Sequence, residues 1–347
     1  MSETILDGVL ARGRLSFTTI AAVPAGKDRV MLAVDTLDDE EDRPSASAIL
    51  GITLGKQLSI ERIHERDTSA IDYAFEDGWH GLLRRDGIDQ IDGKSVTFSK
   101  IPLGAKGAVT QLARSGSTVY ACGTAADGID GFIGCLDTKQ QWSHVATMSE
   151  GYTAGTFQAM HFPTPEKGYA VGSWGAMFSG NANGFAAVTL PDLAFSTDGK
   201  DPTRRHSLRG VHARADGTAL LAGRDFAGVY ADGKVTKVGG DDRYVDAVAE
   251  YRGVEYWAIE NRMVDRLEIA TRKGNTLTTV FATGKYKPLR YRRLPHAGIR
   301  ITVRDDLMIV TNLDRIHLFD GGAWTSLKLQ PDTSQLVKRV PVGMKPV

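Results

Sequence analysis

Residues 168–188 constrain the fold of this chain more than any other stretch. Gly168-Tyr169-Ala170-Val171-Gly172 alternates small and β-branched residues, Ser173-Trp174-Gly175 makes a turn, Ala176-Met177-Phe178-Ser179 forms a second run, and Phe185-Ala186-Ala187-Val188 a third. Short alternating runs punctuated by glycine turns read as hairpin strands. No sustained helical pattern competes with them anywhere in the chain.

The same order of strand, turn and strand recurs. Asp92-Gly93, Asp216-Gly217 and Asp232-Gly233 mark tight hairpin turns between apolar runs. Four strands in about 40 to 50 residues is the period of a β-propeller blade. The chain accordingly reads as one all-β domain, a β-propeller of seven blades with four antiparallel strands each, over 15–63, 70–101, 109–147, 156–190, 207–239, 244–284 and 297–329, with 330–347 as a C-terminal tail. Closure between blades one and seven would draw an edge strand from 5–10 or 336–340. A ring leaves only short, protected edges, which a β-sandwich of the same strands would not.

Composition narrows the function. The 42 basic and 42 acidic residues cancel, so no global field draws the chain to nucleic acid or to a membrane surface. No apolar run is long enough to span a bilayer, and Met1-Ser2-Glu3-Thr4 does not open a secretory signal, so the expected location is cytoplasmic. The two cysteines, Cys122 and Cys135, are expected as buried thiols. The eight histidines form no metal-binding pair motif, and no phosphate loop, dinucleotide fingerprint or nucleophile elbow occurs; no metal and no cofactor is expected, and no catalytic residue can be named.

Strand parity sorts the loops. Turns between second and third strands share one end of the blades with the connections from blade to blade. Arg85, Trp174, Arg224, Asp225 and Arg262 fall in such turns, and Arg290, Arg292 and Arg293 fall in the connection from blade six to blade seven. These eight residues are the candidate partner-binding set. The implied role is a non-enzymatic scaffold, monomeric apart from a protein partner, such as an assembly factor or a toxin-neutralising immunity protein. The alternative is a glycan-acting or other hydrolase with its site at the central channel.

Gly168-Tyr169-Ala170-Val171-Gly172-Ser173-Trp174-Gly175 resembles the G-[WY]-A-V-G-x-x-G repeat of photosystem-assembly-factor-type propellers, and Asp320-Gly321-Gly322-Ala323-Trp324 is similar to the end of those repeats and of sialidase-type Asp boxes. The resemblance covers parts of blades four and seven. It implies propeller architecture and a binding or assembly role. Ser196-Thr197-Asp198-Gly199 resembles an Asp-box start, and Tyr291-Arg292-Arg293-Leu294-Pro295 the sialidase [YF]-R-I-P element, but both depart from the pattern, so no sialidase residues are carried over.

Overall fold

The computed structural model describes residues 15–38, 46–55, 58–103, 106–147, 155–188, 190, 207–239, 243–261, 266–284, 299–304, 306–331 and 342–346. They form an all-β propeller of seven antiparallel sheets, with a single 3-10 turn at Ser173–Gly175 as the one helical element among them. Blade one holds β1 (Leu15–Pro24), β2 (Arg29–Asp38), β3 (Ser47–Thr53) and β4 (Ser59–Arg66); blade two holds β5 (Asp72–Glu76), β6 (Trp79–Leu83), β7 (Gly87–Asp92) and β8 (Ser95–Lys100). Blade three is β9 (Ala108–Ser115), β10 (Thr118–Thr124), β11 (Gly131–Leu136) and β12 (Trp142–Thr147); blade four is β13 (Phe157–Thr164), β14 (Lys167–Gly172), β15 (Met177–Asn181) and β16 (Gly184–Ala187). Blade five is β17 (Leu208–Ala213), β18 (Ala219–Gly223), β19 (Phe226–Ala231) and β20 (Lys234–Gly239). Blade six is β21 (Tyr244–Tyr251), β22 (Val254–Asn261), β23 (Arg266–Lys273) and β24 (Thr276–Ala282). Blade seven is β25 (Arg300–Arg304), β26 (Leu307–Asn312), β27 (Arg315–Phe319) and β28 (Trp324–Pro331), and it gains a fifth strand, β29 (Val342–Pro346), from the C-terminal tail. That edge strand pairs with β28, whereas the stretches 5–10 and 336–340 lie outside the described residues.

By contact the chain divides into two compact units, Met1–Phe75 with Leu289–Val347, and Glu76–Pro288. The first unit contains blades one and seven, whose inward faces meet in a core of Val30, Leu32, Val34, Leu50, Ile309, Ile316 and Leu327. The second contains blades three to six, with cores such as Tyr169, Val171, Met177, Leu208, Leu221 and Phe226 between blades four and five. Cys122 and Cys135 are free and buried, and Cys122 faces Ile133 in the register, not Cys135.

Each first strand is laddered on one side only, so its other edge must satisfy its peptide groups some other way. Side chains of the adjacent blade do this. Thr110 Oγ1 donates to the Phe157 carbonyl at 2.6 Å, Gln111 Oε1 accepts the Met160 N–H, and His161 Nδ1 accepts the Ala213 N–H at 3.0 Å. In the first unit Thr302 Oγ1 donates to the Ala22 carbonyl, and the Thr19 N–H donates to the Leu313 carbonyl at 2.6 Å.

A second device repeats along the first strands. Five blades carry an extra residue in the first strand: Ile20 in mid-strand in blade one, and Thr110, Gln158, Arg209 and Asp246 near the strand start in blades three to six. In blades three to five the neighbouring second strand carries a glycine at its last or next-to-last position, Gly123, Gly172 or Gly223, and a Cβ there would collide with the carbonyl oxygen of Ala108, Thr156 or Ser207. The missing side chain lets the bulged strand approach. Gly172→Ala should therefore cost about 1–3 kcal/mol, while Gly284→Ala, whose Cβ meets nothing, should stay within about 0.5 kcal/mol of wild type. Urea unfolding of the two variants checks this.

Candidate functional site

A bulge re-aims the side chain of its extra residue. In the second unit the four bulged residues Thr110, Gln158, Arg209 and Asp246 occupy equivalent places on β9, β13, β17 and β21, strands that lie side by side in sequence order. All four are polar. Arg209 and Asp246 join across the seam between blades five and six at 2.7 Å, leaving Asp246 buried and Arg209 half exposed.

The bulges lie beside the turns between second and third strands. The Asp225 N–H donates to the Arg243 carbonyl at 2.8 Å, and a β-bridge joins Arg224 to Tyr244, so the blade-five turn is tied to the strand entering blade six. The blade-three turn is tied to the entry of blade four in the same way, by the Gly155 N–H on the Ile129 carbonyl at 2.7 Å. In blade four, the Thr156 N–H donates to Ser173 Oγ at 3.2 Å and the Ser173 N–H returns to the Thr156 carbonyl at 3.0 Å. The Thr124 and Thr156 hydroxyls add a 2.6 Å contact across the preceding seam.

The side chains at these turns are unusual for positions held by main-chain bonds. Trp174 is half-buried with φ at 60°, and Asp225 has φ at 57°. A left-handed backbone disfavours a bulky residue, and such strain collects at functional positions. Tyr244 lies under two guanidiniums, that of Arg224 at 5.3 Å and that of Arg209 at 5.9 Å from the ring centre. Arg224 is 61% exposed and makes a loose ion pair with Asp225 at 3.6 Å. Ile129, at the tip of the blade-three turn, is 54% exposed.

Four of the residues singled out from the sequence are described, all at second-to-third turns of the second unit. Arg85 is exposed in the blade-two turn beside Arg84, which stacks on Phe98 at 4.4 Å. Trp174, Arg224 and Asp225 stand in the turns of blades four and five, and Arg224 and Asp225 are brought together with Tyr244. Arg262, Arg290, Arg292 and Arg293 lie outside the described residues. The sequence reading did not single out Thr110, Gln158, Arg209, Asp246 or Tyr244. The trace of the first three bulges in sequence is a glycine at or next to the end of the second strand, each time preceded by a small or β-branched residue.

Farther along the same first strands, the His161 and His212 rings meet at 4.5 Å between centres, tilted by 37°. Burial, then the charge of His212, pushes His161 down to about 3. Burial, then Arg214, pushes His212 down to about 4, and burial, then Arg315, holds His317 of blade seven at about 4. Because His161 Nδ1 accepts the Ala213 N–H, the ring is neutral with its proton on Nε2. This orientation turns its proton-free nitrogen to a donor, which does not suit a metal ligand. Among the described residues no three His, Cys, Asp or Glu side chains gather as a metal site.

A histidine with a depressed pKa takes its proton only on unfolding, so its contribution is full above pH 6.5 and is lost as pH falls toward 4. The urea midpoint of the wild type should drop over that interval, and the drop should shrink in His161→Gln, whose amide oxygen can still accept the Ala213 N–H. An equal drop in both proteins would refute this assignment.

No protein-family model matches the sequence, and no curated protein matches it either. Solved structures do. The virginiamycin B lyase of Staphylococcus aureus is similar at 12% identity and a TM-score of 0.56, over 86% of this chain and 96% of that one. The AfRom2 CNH domain is similar at 13% identity and 0.55, over 89% and 93%. YCF48 from Cyanidioschyzon merolae is similar at 14% identity and 0.49, over 77% and 90%. The first two likenesses show the propeller fold and assign no activity.

Proposed function

We propose that this propeller is a protein-binding scaffold that takes its partner on the second-to-third turns of the second unit. The observation that carries the reading is the Tyr244 ring with the guanidiniums of Arg224 and Arg209 over it, both reaching solvent. Tyrosine, tryptophan and arginine dominate the energetic centres of protein interfaces, and pre-positioned side chains lose little entropy on binding. Ile129 and Trp174 add apolar surface at the turns of the two preceding blades, and Arg85 adds charge at the blade-two turn. The main-chain bonds from turn to neighbouring blade keep this surface rigid. An assembly factor or an immunity protein would work in this way.

The test is an affinity capture from native lysate with the wild type and with the double variant Arg85→Glu/Arg224→Glu, at two salt concentrations. The wild type should retain a stoichiometric protein that moderate salt releases. The variant should lose it at low salt while keeping its thermal midpoint, because both residues are exposed. A variant that retains the same protein with the same salt dependence would rule out this surface.

A further inference from the structure

The register of blade seven, in the first unit, places three cations in one row. Arg315 on β27 stands opposite Lys328 on β28, and Lys328 stands opposite Lys345 on β29. Residues directly opposite share a face of the sheet at about 4.5–5.5 Å, and like charges so placed repel. Asp314 is the acid that answers them, 3.7 Å from Arg315 Nε and 3.3 Å from Lys328 Nζ. Lys345 is exposed and makes no ion pair among the described residues. The rows on either side bring no further carboxylate: His317 Nδ1 meets Ser326 Oγ at 2.8 Å, and Gln330 stands opposite Gly343. Three cations therefore share one carboxylate.

That carboxylate is held in place. The Leu329 N–H donates to the Asp314 carbonyl at 2.8 Å, and the Leu313 carbonyl accepts the Thr19 N–H at 2.6 Å and the Thr19 hydroxyl at 2.7 Å. A lysine on an edge strand is an ordinary guard against foreign strands, and so is a proline. This accounts for Lys345 and Pro346, but not for Lys328 and Arg315, which lie on strands laddered on both sides. The rings of this blade, Phe319 and Trp324, stack on each other at 4.8 Å at the far end of β27 and β28, so bases have no platform beside the cations. Carboxylates need none, and an extended segment sets those on one side about 6.6–6.8 Å apart, within reach of two flexible lysines. We propose that the row Arg315, Lys328 and Lys345 is a docking site for an acidic segment of a protein partner, whose carboxylates supply the counter-charge that blade seven lacks. This surface does not depend on the second-unit turns.

Fluorescence anisotropy of a labelled peptide alternating glutamate and serine, titrated with the full-length protein, tests the site. The wild type should bind at low salt and weaken as salt is added. Lys328→Gln/Lys345→Gln should bind about tenfold more weakly, having lost two charge contacts. The control Lys94→Gln/Lys100→Gln removes the same charge from exposed positions of blade two and should stay within about twofold of wild type. In the free protein, Lys345→Glu turns a repulsive cross-strand pair into an attractive one and should raise the urea midpoint. Absence of binding by the wild type at low salt, or equal weakening in the row variant and the control, would overturn the proposal. So would a labelled single-stranded oligonucleotide of the same charge binding the row more tightly than the peptide, since the site would then belong to phosphates.

Discussion

Every blade of this propeller begins with a strand that has a ladder on one side and none on the other. An unladdered edge is both a cost, through its unpaired peptide groups, and a hazard, as a template for foreign strands. The chain resolves both by setting such edges side by side and letting side chains bridge them. Thr110, Gln111 and His161 do this at successive seams of the second unit, and Thr302 does it in the first. The bridging groups are hydroxyl, amide and neutral imidazole, so the seams carry hydrogen bonds without burying unpaired charge. The depressed histidine pKa values follow from that choice.

The two ends of the blades are treated differently. At the end of the first-to-second turns, blades five and six are locked by charge: Arg214 pairs with Glu250 at 2.6 Å and with Glu255 at 2.8 Å, and Arg272 closes on Glu255 at 2.5 Å. The carboxylate of Glu255 is saturated by two guanidiniums and kept below its usual range: burial opposes ionisation, but the hydrogen bonds from Arg272 and Arg214 outweigh it. At the other end the bulges of the second unit place polar side chains at the blade seams, and the turns hold Trp174 and Asp225 in left-handed backbone. One end spends its charges on itself, while the other leaves Arg224 and Ile129 to solvent.

The blades were legible in the sequence because their signals are local. Aspartate-glycine turns and runs such as Ala219-Leu220-Leu221-Ala222-Gly223 announce strands and their ends within a few residues, and parity then places Trp174, Arg224 and Asp225 at second-to-third turns. The bulges were not legible, because an extra residue in a strand leaves the alternation on either side intact. Arg209 and Asp246 looked like ordinary strand residues for that reason. Tyr244 escaped for another: its partners lie 35 and 20 residues earlier in the chain, and nothing local marks a stack formed across a seam. Closure suggested an edge strand from 5–10 or 336–340, which lie outside the described residues; the fifth strand of blade seven is instead Val342–Pro346, and its register, Leu327 against Pro346, depends on tertiary pairing.

The proposed docking surface is the bulge-and-turn end of the second unit, opposite the charge-locked end. Hydrogen-exchange mass spectrometry on the captured complex, compared with the free protein, separates the two ends. A partner on the proposed surface should protect residues 172–176, 224–226 and 243–246 and leave 214–218 and 252–255 unchanged. Protection confined to the first-to-second turns would contradict it.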